Sequence, residues 1–256
     1  MKNENYQQMF EMLLKTDGKL LKGFSNFHNY SLGNQYWAMW QMMGRGLEIS
    51  PIATFKKWQS LNRQVKKGSK AIALLMPVTI KDKVTDEKKT IFVAKNNWFA
   101  MSQTEGEDVQ FPEIGFDFDK ALENLKITKE NFQMTNGNVL GYAKQRVVAI
   151  NPVGERPELI LFHEIGHILL GHTEGTSEFV DTVTNQKNLK EVEAEGVALC
   201  CTLALGLTGS EYCVGYIKNW LKSEEIPADS IKKIFRVANE ILRAGQEKPA
   251  QEVDKA

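Results

Sequence analysis

Two histidines and a glutamate form the pattern H-E-x-x-H in His163-Glu164-Ile165-Gly166-His167. Four residues make a little more than one helical turn, so both imidazoles leave one face and can offer ring nitrogens to a single metal ion. Glu164, beside the first histidine, can then reach a water at that metal as general base. Leu159, Ile160, Phe162, Ile165, Ile168, Leu169 and Leu170 surround the three and predict a buried helix. Ionisable groups on such a helix are costly unless they are paired or bind an ion.

A catalytic zinc site needs a third protein ligand and an open position. His172 lies five residues past His167. The metzincin pattern instead wants glycine three past and histidine six past, where this chain has Leu170 and Thr173. His172 therefore fails on spacing and is read as a helix-end cap or a residue at the cleft mouth. Lys190-Glu191-Val192-Glu193-Ala194-Glu195 opens an otherwise apolar helix, with Glu191 and Glu195 four apart on one face. That spacing resembles the E-x-x-x-D/E of thermolysin-like zincins. The resemblance implies Glu191 as third ligand and Glu195 as the acceptor that orients a ligating histidine. Glu193 is the alternative ligand, and an acidic first turn favoured by the helix dipole is the reading without a metal. The expected cofactor is one Zn2+ per chain, and the expected chemistry is peptide hydrolysis with Glu164 moving the proton. Arg146–Ile150 is expected as the edge strand on which a peptide substrate lies. Tyr142 is either an oxyanion donor or a core tyrosine of a hairpin.

These groups need a scaffold, and 256 residues can supply two domains of ordinary size. Apolar and charged contents of 42% and 25% exclude a disordered or membrane-embedded class. No apolar run reaches the roughly 20 residues that span a bilayer, and the polar N-terminus has no signal-peptide core. Cys200, Cys201 and Cys213 make neither an even framework nor a C-x-x-C pair, so a reducing cytoplasm is expected. Ser31 and Thr54 are placed to cap helices, the first running to about Met43. Strands are expected over Ala71–Val78, Thr90–Ala94 and Trp98–Met101, and a tight turn at Asn136-Gly137. Helices follow at about 118–125, 188–205, 210–221 and 227–245. The whole is α+β in two domains, 1–112 and 113–256. The second is expected to hold a small antiparallel sheet and the H-E-x-x-H helix.

The net charge of zero hides an asymmetry. Residues 1–112 hold 16 Lys and Arg against 10 Asp and Glu, a net of +6, and the remainder a net of −6. Trp37, Lys56, Lys57, Trp58, Arg63, Lys66, Lys67 and Lys70 interleave aromatic and basic groups. Bases can stack on such aromatics while lysines follow the phosphates; Trp37 at helical spacing also suits a core.

Ser31-Leu32-Gly33-Asn34-Gln35-Tyr36-Trp37, Thr54-Phe55-Lys56-Lys57-Trp58-Gln59, Arg63–Ile72 and Ser102-Gln103-Thr104-Glu105-Gly106 together resemble the N-terminal domain of ArdC-type antirestriction proteins. His163–His167 with Glu191–Glu195 is similar to ImmA/IrrE-like metallopeptidases and to the ArdC C-terminal domain. The resemblance implies a zincin-like second domain and a first domain that binds single-stranded DNA, with Asn34 added to the contact candidates. It also implies a mobile-element role in protecting incoming DNA. Two other readings stay open. One is a metalloprotease that cleaves a repressor and recruits protein through its first domain. The other is a DNA-binding protein with a vestigial zinc site.

Overall fold

The computed structural model describes residues 3–15, 30–81, 88–109, 115–134, 139–174, 179–180, 189–222 and 224–246. The expected Asn136-Gly137 turn lies outside them. Helix α1 (Asn3–Leu13) buries Met9, Phe10, Met12 and Leu13. Ser31 caps α2 (Leu32–Gly44), its hydroxyl accepting from the Asn34 N–H at 3.4 Å. Thr54 caps α3 (Phe55–Ser60) in the same way through the Lys57 N–H.

Strands β1 (Ile52–Thr54), β3 (Ile72–Lys81) and β4 (Lys88–Ala100) form an antiparallel sheet in the order β1-β4-β3. Between them in sequence, β2 (Arg63–Val65) pairs with the later β5 (Thr104–Gly106). The two strands expected over 90–101 are one continuous β4, because its pairing with β3 is broken only by a bulge at Ile72/Ala73.

β3 is an edge of that sheet, and α2 covers it with side-chain amides. Asn34 donates to the Leu75 carbonyl at 3.0 Å and accepts from the Leu75 N–H at 2.8 Å. Gln41, two helical turns on, does the same to Ala73 at 2.8 and 3.0 Å. Backbone groups that would otherwise invite another strand are thereby satisfied.

In the second half, α4 (Phe118–Leu125) leads into a sheet of β6 (Thr128–Lys129), β7 (Gly141–Lys144), β8 (Val147–Ile150) and β9 (Phe179–Val180). Its order is β6-β8-β7-β9, and β6 runs parallel to β8. The sheet is therefore mixed, where an antiparallel one was expected. Arg146, at the β7–β8 turn, donates to the Lys126 carbonyl at 3.1 Å and also to that of Leu125. This pins the end of α4 beside the start of β8, so the chain leaving α4 runs along β8 in the same direction. β8 is consequently interior, with both sides paired, and cannot be the edge expected to receive a peptide.

Helix α5 (Pro157–Leu169) packs on β7 and β8 and carries the H-E-x-x-H residues. It is followed by α6 (Leu189–Leu205), α7 (Ser210–Leu221) and α8 (Ala228–Gly245). α5 presents Gly166 to Ala194 and Val197 of α6, so the two helices approach closely. Amphipathic α8 buries Ile231, Ile234, Phe235, Ala238, Ile241 and Leu242 at helical spacing.

One apolar cluster contains residues of both halves of the sequence. Tyr36 of α2 donates to the Cys200 carbonyl of α6 at 3.3 Å, and its ring centroid is 5.3 Å from that of Phe235 on α8. The Leu32 N–H donates to Asn239 Oδ1 at 3.0 Å. Cys200, Cys201 and Cys213 are buried and free, and burial raises all three thiols, that of Cys200 to about 12. No helix among the described residues is long and apolar enough to cross a membrane.

Candidate metal centre

The α5 face turned to α6 carries His163 and His167, both buried, with their Nε2 atoms 2.9 Å apart. Glu191, in the first turn of α6, brings Oε2 to 3.4 Å from His163 Nε2 and 3.6 Å from His167 Nε2. All three potential ligand atoms lie within 4.8 Å of one another. A tetrahedral zinc site with bonds of 2.0–2.1 Å separates its ligand atoms by about 3.3 Å. The three observed spacings bracket that value, so this donor set fits a divalent ion without rearrangement.

Protonation suits the same purpose. Burial lowers the His167 imidazole to about 4, which keeps it neutral at physiological pH. Burial opposes ionisation of Glu191, but its interactions with His163 and His167 outweigh this and hold the carboxyl well below the usual range. Neutral imidazoles facing a carboxylate anion are the ligand states that a divalent cation takes.

The glutamates of α6 divide by helical geometry. Glu195, one turn past Glu191, sets Oε1 3.5 Å from His163 Nδ1, the ring nitrogen facing away from the cluster. Glu193 points elsewhere and meets His172 Nε2 at 2.9 Å. Glu164 is fully buried, and β7 passes directly over it. A Cβ on Gly141 would stand 2.9 Å from Glu164 Oε1 and 2.8 Å from Ile160 Cγ2, so only glycine allows this approach. Spacing rules aimed at ligands missed Gly141, His172 and Glu193 as neighbours of the cluster. The legible signal was Gly171, the C-cap glycine that turns His172 back toward His167.

Tyr142 does not join the centre. Gly141 faces α5, so Tyr142, its neighbour in the strand, faces the other side of the sheet. There its hydroxyl donates to Glu130 Oε1 at 2.6 Å. This is the core-tyrosine alternative.

The basic half separates into structural and surface groups. Trp58 is 0% exposed and donates from Nε1 to the Phe99 carbonyl at 2.9 Å. Arg63 is buried, with Nε donating to Thr104 Oγ1 at 2.8 Å and its other nitrogens donating to the carbonyls of Thr104, Gly106 and Glu107. The Asn34 amide is committed to Leu75. Half-buried Trp37 stacks on Trp40, with centroids 5.4 Å apart. These four were expected to contact DNA, but packing and hydrogen bonding inside the fold occupy them. Lys56, Lys57, Lys66, Lys67 and Lys70 remain exposed. The structure adds a surface that the sequence reading passed over, the outer part of the β3–β4 ribbon. Phe92 is 69% exposed there. Lys81 and Lys88 pair across the strands on the face that Phe92 shares, and Lys89 and Lys95 lie on the other.

Residues 4–113 match the N-terminal domain of anti-restriction factor ArdC. The fold is similar to that of the antirestriction ArdC protein from plasmid R388. Its Mn(II)-bound structure aligns at a TM-score of 0.52 and 18% identity, over 93% of this chain and 94% of that one. The metal-free structure of the same protein aligns at 0.49, with the same identity and coverage. At this identity the likeness is one of fold. No curated protein matches the chain in sequence.

Proposed function

Because this chain is ArdC-like, in residues 4–113 and in the fold of the whole, we propose that it acts as an antirestriction protein with two working parts. Its N-terminal part binds single-stranded DNA, and its C-terminal part holds a catalytic zinc ion on His163, His167 and Glu191. The observation that carries the second part is the convergence of those three ligand atoms within 4.8 Å, next to the buried carboxyl of Glu164. The Mn(II)-bound form of the R388 protein supports a divalent metal in this fold. Two imidazoles and one carboxylate favour zinc over manganese by the order of divalent affinities.

A divalent ion bound there supplies a Lewis acid for a peptide carbonyl and for water. Glu164 accepts the proton of the attacking water and returns it to the leaving amine. Burial excludes bulk water around this carboxyl, and Gly141 leaves it room. Glu195 faces Nδ1 of His163 and orients that ring. In the N-terminal part, the exposed lysines of α3, of the Lys66–Lys70 loop and of the ribbon offer phosphate contacts. Phe92 offers a stacking surface for a base.

Zinc content and hydrolysis of an unfolded polypeptide test the centre. Wild-type protein is expected to hold about one zinc per chain. Glu164→Gln is expected to keep the zinc and lose hydrolysis. Wild type without affinity for zinc overturns the centre, and hydrolysis surviving in Glu164→Gln removes that residue from its role. Transfer of DNA into a restricting host, compared between the two proteins, then separates the parts. Equal protection assigns antirestriction to DNA binding alone.

A further inference from the structure

Helix α5 ends in a paired-bond turn. Gly171, with φ +80°, donates its N–H to the Ile168 carbonyl at 3.1 Å, and the His172 N–H donates to the His167 carbonyl at 2.9 Å. This is the Schellman arrangement, in which the residue after the glycine folds back onto the third residue from the helix end. The two side chains brought together are ordinarily apolar, but here both are imidazoles. Their Nδ1 atoms are 2.9 Å apart and both rings are buried. His172 Nε2 lies 2.9 Å from Oε2 of buried Glu193, which Ser230 also hydrogen-bonds from α8.

The protons in this chain of groups can run in only one direction. Two ring nitrogens at hydrogen-bond distance share one proton between them. With Nε2 of His167 turned to the metal cluster as a lone pair, its single proton must sit on Nδ1. His167 therefore donates to Nδ1 of His172. That leaves the His172 proton on Nε2, where it donates to Glu193. Reversing the direction would set a bare His172 nitrogen against the carboxylate, with no proton between them.

We propose that His172 and Glu193 are positioning residues for His167, a carboxylate–imidazole relay that fixes the tautomer in which His167 Nε2 is free to bind metal. The proposal rests on the metal centre described above. Helical geometry explains why a relay is needed. Glu193 follows Glu191 by two residues and leaves α6 about 200° further round the helix. It does not reach the ring from the ligand side, and the imidazole of His172 spans the gap. His163 needs no such bridge, because Glu195 shares the face of Glu191.

The test uses the full-length protein and zinc affinity measured against a chromophoric chelator. His172→Ala is expected to bind zinc roughly 10- to 100-fold more weakly than wild type. His172→Gln, whose carbonyl can accept from His167 while its amide donates to Glu193, is expected to recover part of that loss. Thermal unfolding of the metal-free proteins provides the control, with His172→Ala expected to lose far less apo stability than zinc affinity. In 15N-histidine spectra of the wild type, the protons should reside on His167 Nδ1 and His172 Nε2. Wild-type affinity in His172→Ala overturns the relay, and so does the opposite tautomer. A glutamine variant as weak as the alanine variant also overturns it. Wild type without zinc affinity overturns the metal centre, and the relay with it.

Discussion

Single side chains on α5 carry most of the chemistry, and their cost lies in burial. His163, Glu164 and His167 are withdrawn from water on an apolar helix, and each is answered by a group from another element. Glu191 and Glu195 answer His163, while Glu191 and His172 answer His167. Glu164 is confined by a residue with no side chain. Gly141→Ala would set a methyl group against Glu164 Oε1 and Ile160 Cγ2 at under 3 Å. Overpacking of this kind costs about 1–3 kcal/mol of stability. The carboxyl must shift, so hydrolysis should fall sharply while zinc content stays near wild type. Urea unfolding and metal analysis of the variant check both parts, and unchanged hydrolysis would mean that Glu164 has slack. The H-E-x-x-H spacing and the Glu191/Glu195 pair were legible in the sequence, because a four-residue spacing within one helix is a local property. Gly141 was not, because nothing local tells which strand will cross a helix.

Among the elements, the β3–β4 ribbon and α2 divide the work that composition had assigned to one basic, aromatic region. α2 turns Asn34 and Gln41 to the edge of β3, which is a structural use of residues that looked fit to read bases. Trp58 fills the core under β4 for the same reason, since a large aromatic ring is more stable buried than displayed. Outer positions of the ribbon have no layer above them, which leaves Phe92 and the paired lysines outward. Phe92→Ala is expected to weaken binding of a short single-stranded oligonucleotide by about 1–3 kcal/mol, the loss of one stacked base. Lys88→Ala with Lys89→Ala should also flatten the salt dependence, by close to one logarithmic unit of slope per lost phosphate contact. Fluorescence anisotropy over a salt series measures both effects. Wild-type affinity in Phe92→Ala would move the contact away from the ribbon. Helix caps at Ser31 and Thr54 were predictable, because capping is settled within four residues.

The molecule as a whole joins two regions of opposite net charge through one core. α1 and α2 pack on α8, and Tyr36 reaches the backbone of α6. A division at 112/113 is reasonable as a reading of motifs, but neither side closes its apolar surface alone. Residues 1–112 expressed alone should therefore unfold or aggregate, whereas co-expressed fragments 1–112 and 113–256 should copurify. Size-exclusion chromatography distinguishes these outcomes, and a well-folded monomeric 1–112 would show that the shared core is dispensable. Tyr36→Ala should destabilise both regions together by about 3–5 kcal/mol, the usual cost of emptying a large buried aromatic site. What the amino-acid order carried unaided was whatever depends on neighbours within a turn or two: the H-E-x-x-H face, the acidic pair of α6, the caps, and the alternation of the long strands. Side-chain fates that depend on distant contacts emerged only in the folded chain. Packing turned Trp58, Arg63 and Asn34 inward and left Phe92 outside, and the close crossing of α5 and α6 delivered Glu191 to the two histidines. The turn at Gly171 made a neighbour of His172, which spacing had dismissed as a ligand. Each of these follows from the demand that buried polar groups find partners, and the chain can meet that demand only in three dimensions.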